Sequence, residues 1–254
     1  MTQDDVDQGT AVARAVTRVR THLDGLAALL EGVREPVEAG LAAAGADVPA
    51  LGYRELTALL REVAAPHCTA ALGAAPSVAG VGCVAQSPAE AGEAFAMVWW
   101  VSRNGVVSEK RHDLNPTSDA FYDYRDAEWF SVPRTTGGFV VAGPYIDAWG
   151  TDDLTITAGL PLRAGGRAIG VVALDVATAR FVGELTDALD ELPQDAVLVN
   201  ADGRVVASTA PDLSTGLRLT PRSRAAAGAP AGTAVPAGAR GWSLVLLPGA
   251  DAPA

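Results

Sequence analysis

Short apolar runs separated by turn residues fill the middle of this sequence and constrain its fold more than any other feature. Val78–Ala85 and Ala94–Ser102 have the length and composition of β-strands. Asn104-Gly105 then predicts a type I′ hairpin turn into Val106–His112. A second hairpin is predicted around Gly165-Gly166. Because strands joined by tight turns run in opposite directions, the sequence predicts an antiparallel sheet.

Two helices are predicted before the strands. Apolar residues in steps of three and four between positions 12 and 37 form a heptad seam, which is typical of a long helix lying along a partner helix. The partner belongs either to the same domain or to a second copy in a dimer. Pro36 is expected to end or kink this helix. A second amphipathic helix is predicted at Tyr53–Ala64 and is expected to stop at Pro66.

A smaller unit is predicted after the sheet. Asp195–Asn200 and Arg204–Ser208 flank a hairpin turn, and Trp242–Leu247 offers a later strand. Thr209–Arg240 is rich in Ala, Pro, Gly and Arg, which predicts a long irregular connection. The predicted organisation is an N-terminal helical region (1–75), a ligand-binding lobe (76–192) and a smaller second lobe (193–254).

Charge and hydropathy narrow the possible partners. The 19 Lys and Arg residues against 30 Asp and Glu residues give a formal net charge of -11 over 254 residues. Nucleic-acid binding needs a basic patch, so the charge argues against such a partner but is compatible with cationic small molecules. No apolar run is long enough to span a bilayer, and the acidic start lacks the features of a secretory signal peptide. A cytoplasmic location is expected unless the sequence is a trimmed piece.

Signatures of catalysis and metal binding are missing from the sequence. It contains no His-Glu-x-x-His, Gly-x-Ser-x-Gly or paired-Cys motif. Cys68 and Cys83 stand in apolar surroundings typical of buried thiols, with a disulfide as the alternative. We therefore expect no enzyme, no cofactor and no metal. An enzyme on this sheet and a structural or dimerisation module remain the alternatives to a binding protein.

The segment Phe121–Phe130 mixes aromatic rings and charged side chains more densely than a plain core segment. Such a mixture suits a pocket that stacks on a ligand and forms hydrogen bonds with it. A surface loop with aromatic anchors is the simpler alternative. Trp129 could equally be a core anchor, and Asp175 could cap the helix that follows at Thr178.

These features, in this order, resemble the Cache family of sensor modules. The resemblance rests on the long N-terminal helix, the Asn-Gly hairpin, the Tyr-Asp-x-Arg-x-x-x-Trp-Phe and Gly-Pro-Tyr-x-Asp segments, and the closing Gly-Val-Val-Ala-Leu-Asp strand. The unit Val197–Ser208 is similar to the second, membrane-proximal lobe of double Cache proteins. The resemblance implies an α+β fold: a long N-terminal helix, a PAS-like antiparallel sheet and a smaller second α/β lobe.

In the amino-acid-sensing branch of that family, the aromatic segment reads Tyr-Asp-Pro-Arg-x-Arg-Pro-Trp-Tyr, and its second Arg holds the ligand carboxylate. Tyr122 and Trp129 match this pattern, whereas Phe130 replaces the last Tyr and Ala127 replaces that Arg. A ligand carboxylate would therefore lose a bidentate, charge-assisted partner. Arg125 is the alternative partner if the helix is rotated or shifted.

The resemblance also implies that Tyr145, Asp147 and Asp175 hold a ligand amino group. Trp99 and Trp100 lie on opposite sheet faces by strand alternation, and Trp100 is assigned to the pocket. The expected function is a sensor of an amine or other cationic metabolite that signals through the N-terminal helix, in a possible homodimer, to a separate partner. An amino-acid sensor and a non-binding module remain alternatives. The predicted ligand-binding residues are Trp100, Tyr122, Arg125, Trp129, Phe130, Tyr145, Asp147 and Asp175.

Overall fold

The heptad seam forms one helix, α1 (Gln3–Ala43), in a computed structural model that describes residues 3–45, 48–86, 95–114, 117–119, 121–147, 153–219, 233–234 and 241–247. From Val19 to Val37 the seam is buried within the single chain, whereas Val12 and Val16 are half-buried. The predicted end of the helix at Pro36 is wrong, because the helix continues through it, and the alternative of a kink stays a prediction. Val33, Val37 and Leu41 keep the buried face continuous on both sides. Packing of that face offsets the proline penalty, which is about 3 kcal/mol in a helix interior.

The second helix, α2 (Tyr53–Ala74), is also longer than predicted and runs through Pro66. Its buried residues recur at every fourth position: Leu56, Leu60, Ala64, Cys68 and Leu72. The expected stop at Pro66 is therefore wrong for the same reason as at Pro36. A proline weakens one turn, but the apolar stripe on either side holds the helix against the first two strands of the sheet, Val78–Gln86 and Phe95–Arg103.

The central sheet has six strands in the order β3-β2-β1-β6-β5-β4. The pairs β1–β2, β2–β3, β1–β6 and β5–β6 are antiparallel, which confirms the predicted sheet. Asn104 and Gly105 have φ values of 52° and 77°, the positive values that a type I′ turn requires at both positions. The strands are β1 (Val78–Gln86), β2 (Phe95–Arg103), β3 (Val106–Lys110), β4 (Val140–Ile146), β5 (Leu154–Ala164) and β6 (Arg167–Val176).

The register divides the side chains of this sheet between two faces. On one face, Gly159 meets helix α3 (Glu128–Thr136): a Cβ at Gly159 would lie 2.5 Å from the carbonyl oxygen of Trp129. We call it the α3 face. Among the residues that the pairings place on it are Lys110, Trp99, Gly80, Gly82, Asp175 and Thr157.

We call the opposite face of the sheet the α2 face, and the two cysteines meet there. Cys83 of β1 and Cys68 of α2 are both buried free thiols. A hydrogen bond with Cys68, followed by burial, raises the pKa of the Cys83 thiol well above its ordinary value. The prediction of buried thiols is confirmed. The contact also identifies α2 as the cover of this face.

Two glycines of β1 allow an indole ring to lie directly on the strand. A Cβ at Gly80 would lie 2.6 Å from Trp99 Nε1, and one at Gly82 would lie 2.6 Å from Trp99 Cε3. Both separations are too short for real carbon contacts, so only glycine leaves room for the ring at either position. Trp99 therefore forms a flat floor over the middle of the α3 face.

A smaller C-terminal unit contains helix α4 (Thr178–Leu189) and a four-stranded sheet in the order β8-β7-β10-β9. The strands are β7 (Ala196–Val199), β8 (Val205–Ser208), β9 (Thr233–Ala234) and β10 (Ser243–Leu246). Its core includes Val197, Val199, Val205, Leu219 and Val245. The predicted hairpin at 201–203 is confirmed. Most of the predicted irregular connection, 209–240, lies outside the described residues.

By packing, the chain forms two compact units. One comprises Leu26–Ala142 with Ile146–Ala177, and the other comprises Met1–Gly25, Gly143–Tyr145 and Thr178–Ala254. The boundaries predicted at 75 and 192 each fall inside one of these units. The three-part division therefore stays a prediction. Among the described residues, no helix is sufficiently long and apolar for a bilayer crossing.

Candidate functional site

A continuous aromatic cluster packs between α3 and the sheet. Its centre is Tyr124, whose ring centroid lies 5.9 Å from that of Tyr122, 5.9 Å from that of Trp129 and 5.0 Å from that of Phe130. Trp129 also lies 6.4 Å from Trp99, which joins the cluster to the floor of the α3 face. Trp129 and Phe130 are almost fully buried. The cluster is therefore both a core anchor and the wall beside the polar groups described next.

Two carboxylates meet beside Tyr122. The Tyr122 hydroxyl donates a hydrogen bond to the Asp147 carboxylate. Burial, and then the negative charges of Asp147 and Asp175, raise the pKa of the Tyr122 hydroxyl. Both carboxylates are thus close enough to one phenol to act on it. Asp147 is itself buried, at 8% exposure.

Asp175 is held in a defined orientation within this pair. Its Oδ1 accepts a hydrogen bond of 2.7 Å from Thr157 Oγ1 on the adjacent strand. Burial raises the pKa of the Asp175 carboxyl to about 7. The Thr157 hydrogen bond lowers this pKa, the charge of Asp147 raises it, and the charge of Lys110 lowers it. The site therefore carries a carboxyl that gains or loses its proton near neutral pH.

His112 lies against the ring of Tyr122, with ring centroids 4.9 Å apart and planes inclined by 31°. Burial, and then the charge of Lys110, lower the pKa of its imidazole to about 4. His112 is consequently neutral at pH 7. Its Nδ1 is buried and has no hydrogen-bond partner within the part of the chain that the structure describes.

Of the predicted ligand-binding residues, five are brought together in one compact unit: Tyr122, Trp129, Phe130, Asp147 and Asp175. They come from the segment before α3, from α3 itself, from the end of β4 and from β6. Tyr145 belongs to the C-terminal unit, so its part in this site stays a prediction.

Trp100 lies on the opposite face of the sheet from this cluster, so its assignment to the pocket stays a prediction that the register does not favour. Trp100 pairs with Val81 and Glu109, and this register puts its side chain on the α2 face. Its neighbour Trp99 lies on the α3 face instead. Strand alternation predicted that one of the two rings lines the pocket, but the choice depends on which face α3 covers.

Arg125 lies at the surface. Its guanidinium forms a bidentate contact with Asp123, from Nε at 2.8 Å and from Nη2 at 2.5 Å. This contact lowers the pKa of the Asp123 carboxyl. Both side chains are more than 40% exposed. A ligand carboxylate would have to displace Asp123 to reach Arg125, and the pocket role of this arginine stays a prediction.

Several residues at the site were missed by reasoning from the sequence: Trp99, Lys110, His112, Tyr124 and Thr157. The register of the first hairpin contains the signal for one of them. Counting back from Asn104-Gly105 pairs Trp99 with Lys110, which puts both on the same face. Thr157 has no such signal, because the register of β5 and β6 shifts by one residue between Leu162 and Arg163. Counting back from the Gly165-Gly166 turn would pair Asp175 with Ile156 instead.

A family model for the first PDC sensor domain of methyl-accepting chemotaxis protein-like proteins matches residues 68–182. The matched segment contains the whole α3 face and all the site residues named above. It corresponds to the Cache-type lobe that the sequence predicts. The family whose model matches this part of the chain is a family of sensor domains.

Solved structures of similar fold cover nearly the whole chain. Methyl-accepting chemotaxis protein X is 16% identical, with 96% of this chain and 97% of that chain covered and a TM-score of 0.56. The ligand-binding domain of the Pseudomonas aeruginosa PAO1 amino acid chemoreceptor PctB, in complex with L-Gln, is 17% identical, with 96% and 90% covered and a TM-score of 0.56. That of PctC, in complex with GABA, is 19% identical, with 97% and 100% covered and a TM-score of 0.51.

At these identities the likeness to solved structures establishes the fold. The predicted α+β sensor fold, with its long N-terminal helix and antiparallel sheet, is confirmed. The chain has the fold of PDC, or Cache-type, sensor domains, and its residues 68–182 match the first PDC sensor domain of methyl-accepting chemotaxis protein-like proteins.

Proposed function

We propose that the protein is a sensor module that binds an amine or another cationic metabolite beside Tyr122, Asp147 and Asp175. The observation that carries this proposal is the meeting of two carboxylates at one phenol, next to an aromatic wall. Binding would be relayed through α1 to a separate signalling partner. The C-terminal unit would be the second lobe of a double Cache arrangement.

The electrostatics of the site favour a cation. Placing two carboxylates out of water costs free energy, and the raised pKa of Asp175 reports that cost. An ammonium group between them would supply a compensating charge and hydrogen-bond donors. The rings of Tyr122 and Trp129 can add cation–π contacts worth roughly 0.5–2 kcal/mol.

An amino acid is the second candidate, favoured by the amino-acid ligands in the PctB and PctC structures. Its amino group would use the same two aspartates. Its α-carboxylate would face a weaker partner, because the methyl group of Ala127 stands where the resemblance leads one to expect an arginine. The loss of a bidentate guanidinium is the reason to place simple amines first.

A thermal-shift screen tests the proposal. We expect primary amines such as pentylamine to raise the Tm, whereas the neutral analogue pentanol does not. At 100 times the Kd, binding adds about 2.7 kcal/mol of stability. For a chain of this size, that corresponds to about 5–10 °C. Isothermal titration calorimetry then gives the affinity.

Each alternative predicts a different pattern in the same screen. Stabilisation by α-amino acids without a response to amines would mean that the ligand is an amino acid and not an amine. A flat response to amines, amino acids and organic acids would favour an interaction module.

Homodimerisation through α1 would have to use its outward face, because the heptad seam is buried within the chain from Val19 to Val37.

Amine affinity is expected to depend on pH because of Asp175. A cation binds the ionised carboxylate, and the pKa of Asp175 is raised from its ordinary 3.8 to about 7. The apparent Kd should be constant above about pH 8 and should rise by up to about tenfold per pH unit below pH 7. Calorimetry with pentylamine between pH 5.5 and 8.5 measures this slope. A level affinity over that range would mean that Asp175 does not bind the amine.

A further inference from the structure

Lys110 is the only lysine in the sequence, and it lies on the same sheet face as the acidic pair. It ends β3 and pairs with Trp99 of β2. From there the α3 face continues over Gly80 and Gly82 of β1 to Asp175 of β6. One end of this face therefore carries a cation, and the other end carries the carboxylates.

The span between the two ends is set by the sheet. Lys110 and Asp175 lie three strand spacings apart, which amounts to roughly 14 Å between their backbones at about 4.8 Å per spacing. The two intervening strands contribute glycines and the flat indole of Trp99 to this face. The long stem of Lys110 and the short side chain of Asp175 each cover part of the span.

The charge of Lys110 reaches into the site. It lowers the pKa of both His112 and Asp175, which both lie beside Tyr122. The ammonium group, on a residue of the α3 face, is therefore close enough to the acidic pair to act on it. Nearby Arg134 has a different role, because its guanidinium lies 4.8 Å from the centroid of Phe130 and bonds to Gln86 at 2.7 Å.

We propose that the site selects a zwitterion whose ammonium and carboxylate groups are separated by several methylenes, the ammonium binding at Asp147 and Asp175 and the carboxylate at Lys110. The inference rests on the proposed function and names its ligand class. An α-amino acid carries its two charges on one carbon and cannot reach both ends. A simple alkylamine brings no carboxylate to Lys110, and a diamine brings a second ammonium towards it.

Three ligands with the same five-carbon chain test this selection: 5-aminopentanoate, pentylamine and 1,5-diaminopentane. For the wild-type protein we expect affinity to fall in that order, by about tenfold at each step, as is typical of one partly desolvated charge pair. In Lys110→Met, 5-aminopentanoate and pentylamine should bind equally. In Lys110→Glu, 1,5-diaminopentane should become the tightest ligand.

Arg111→Met is the matched control, since it removes one positive charge from the exposed neighbouring residue. It should leave the order of the three ligands unchanged. A second measurement avoids dependence on the variants: reductive ¹³C-methylation labels Lys110 as the single lysine signal in an NMR spectrum. Saturating 5-aminopentanoate should shift that signal further than saturating pentylamine does.

These experiments distinguish a failure of the zwitterion selection from a failure of the amine site. If Lys110→Met raises the affinity for all three ligands equally, or leaves their order unchanged, the zwitterion selection is wrong and the amine site stands. If pentylamine and 5-aminopentanoate both fail to bind the folded wild-type protein, the amine site itself is wrong. Equal shifts of the lysine signal with both ligands would also overturn the role of Lys110.

Discussion

Replacing Asp175 with asparagine is expected to weaken pentylamine binding about 100-fold, which corresponds to roughly 3 kcal/mol. Asparagine keeps the shape of the side chain and an oxygen that can accept the hydrogen bond of Thr157. It removes the negative charge that pairs with the ammonium. Calorimetry at pH 8, where Asp175 is ionised, measures the effect at its largest.

Asp123→Asn is the matched control for this substitution. Asp123 loses the same charge, but its partner is the exposed guanidinium of Arg125. Amine affinity should change less than about threefold, as is usual for exposed pairs. The variant Asp175→Asn should be at least as stable as the wild type at pH 8 without ligand, because it removes a carboxylate whose ionisation the fold disfavours.

Unchanged amine affinity in a folded Asp175→Asn variant would contradict the proposed function. Asp175 would then serve only the local structure at the end of β6, before α4 begins at Thr178. The same result would leave the aromatic cluster as an ordinary part of the core.

Gly82→Ala is expected to lower the stability of the sheet-containing unit by about 3 kcal/mol. The added methyl would overlap the carbonyl oxygen of Val98 and would lie 2.6 Å from Trp99 Cε3 and 2.9 Å from Trp99 Cα. Two of these three atoms belong to the backbone of the paired strand, which cannot rotate away. Thermal unfolding should show a Tm lower by roughly 6–12 °C.

Gly32→Ala is the control for this second substitution. Gly32 lies within α1, is exposed, and has no atom within 4 Å of an added Cβ. The alanine should stabilise the protein by about 0.5–1 kcal/mol through its higher helix propensity. Should Gly82→Ala be tolerated as well as Gly32→Ala, the indole of Trp99 cannot lie on β1 in the way described.

Local turn chemistry explains why the sheet could be predicted from the sequence. Asn104-Gly105 and Gly165-Gly166 fix two hairpins, and the apolar runs on either side have strand length. The helix ends could not be predicted in the same way. At Pro36 and Pro66 the local penalty of proline competes with the packing of a whole helix face, and that packing depends on residues far away in the sequence.

The candidate site was predictable only in part. Asp147 and Asp175 lie far from Tyr122 in the sequence, and only the resemblance to a sensor family brought them together. The opposite faces of Trp99 and Trp100 followed from alternation. Alternation does not tell which of the two faces α3 covers, because that depends on the tertiary contact of Gly159 with the helix. That contact decides which tryptophan, and with it which side of β3, belongs to the site.

Asp175 and His112, which both lie beside Tyr122, have opposite effects on the pH dependence of folding stability. Acidification from about pH 7 to 4 protonates Asp175, whose pKa is raised on folding, and so makes folding more favourable. Folding lowers the pKa of His112 from 6.5 to about 4. Over nearly the same pH range, His112 is therefore protonated in the unfolded chain but not in the folded chain, which makes folding less favourable. The two contributions largely cancel in the free energy of unfolding. Acid would thus weaken the proposed amine binding at Asp175, while the stability contributions of Asp175 and His112 would change little in sum.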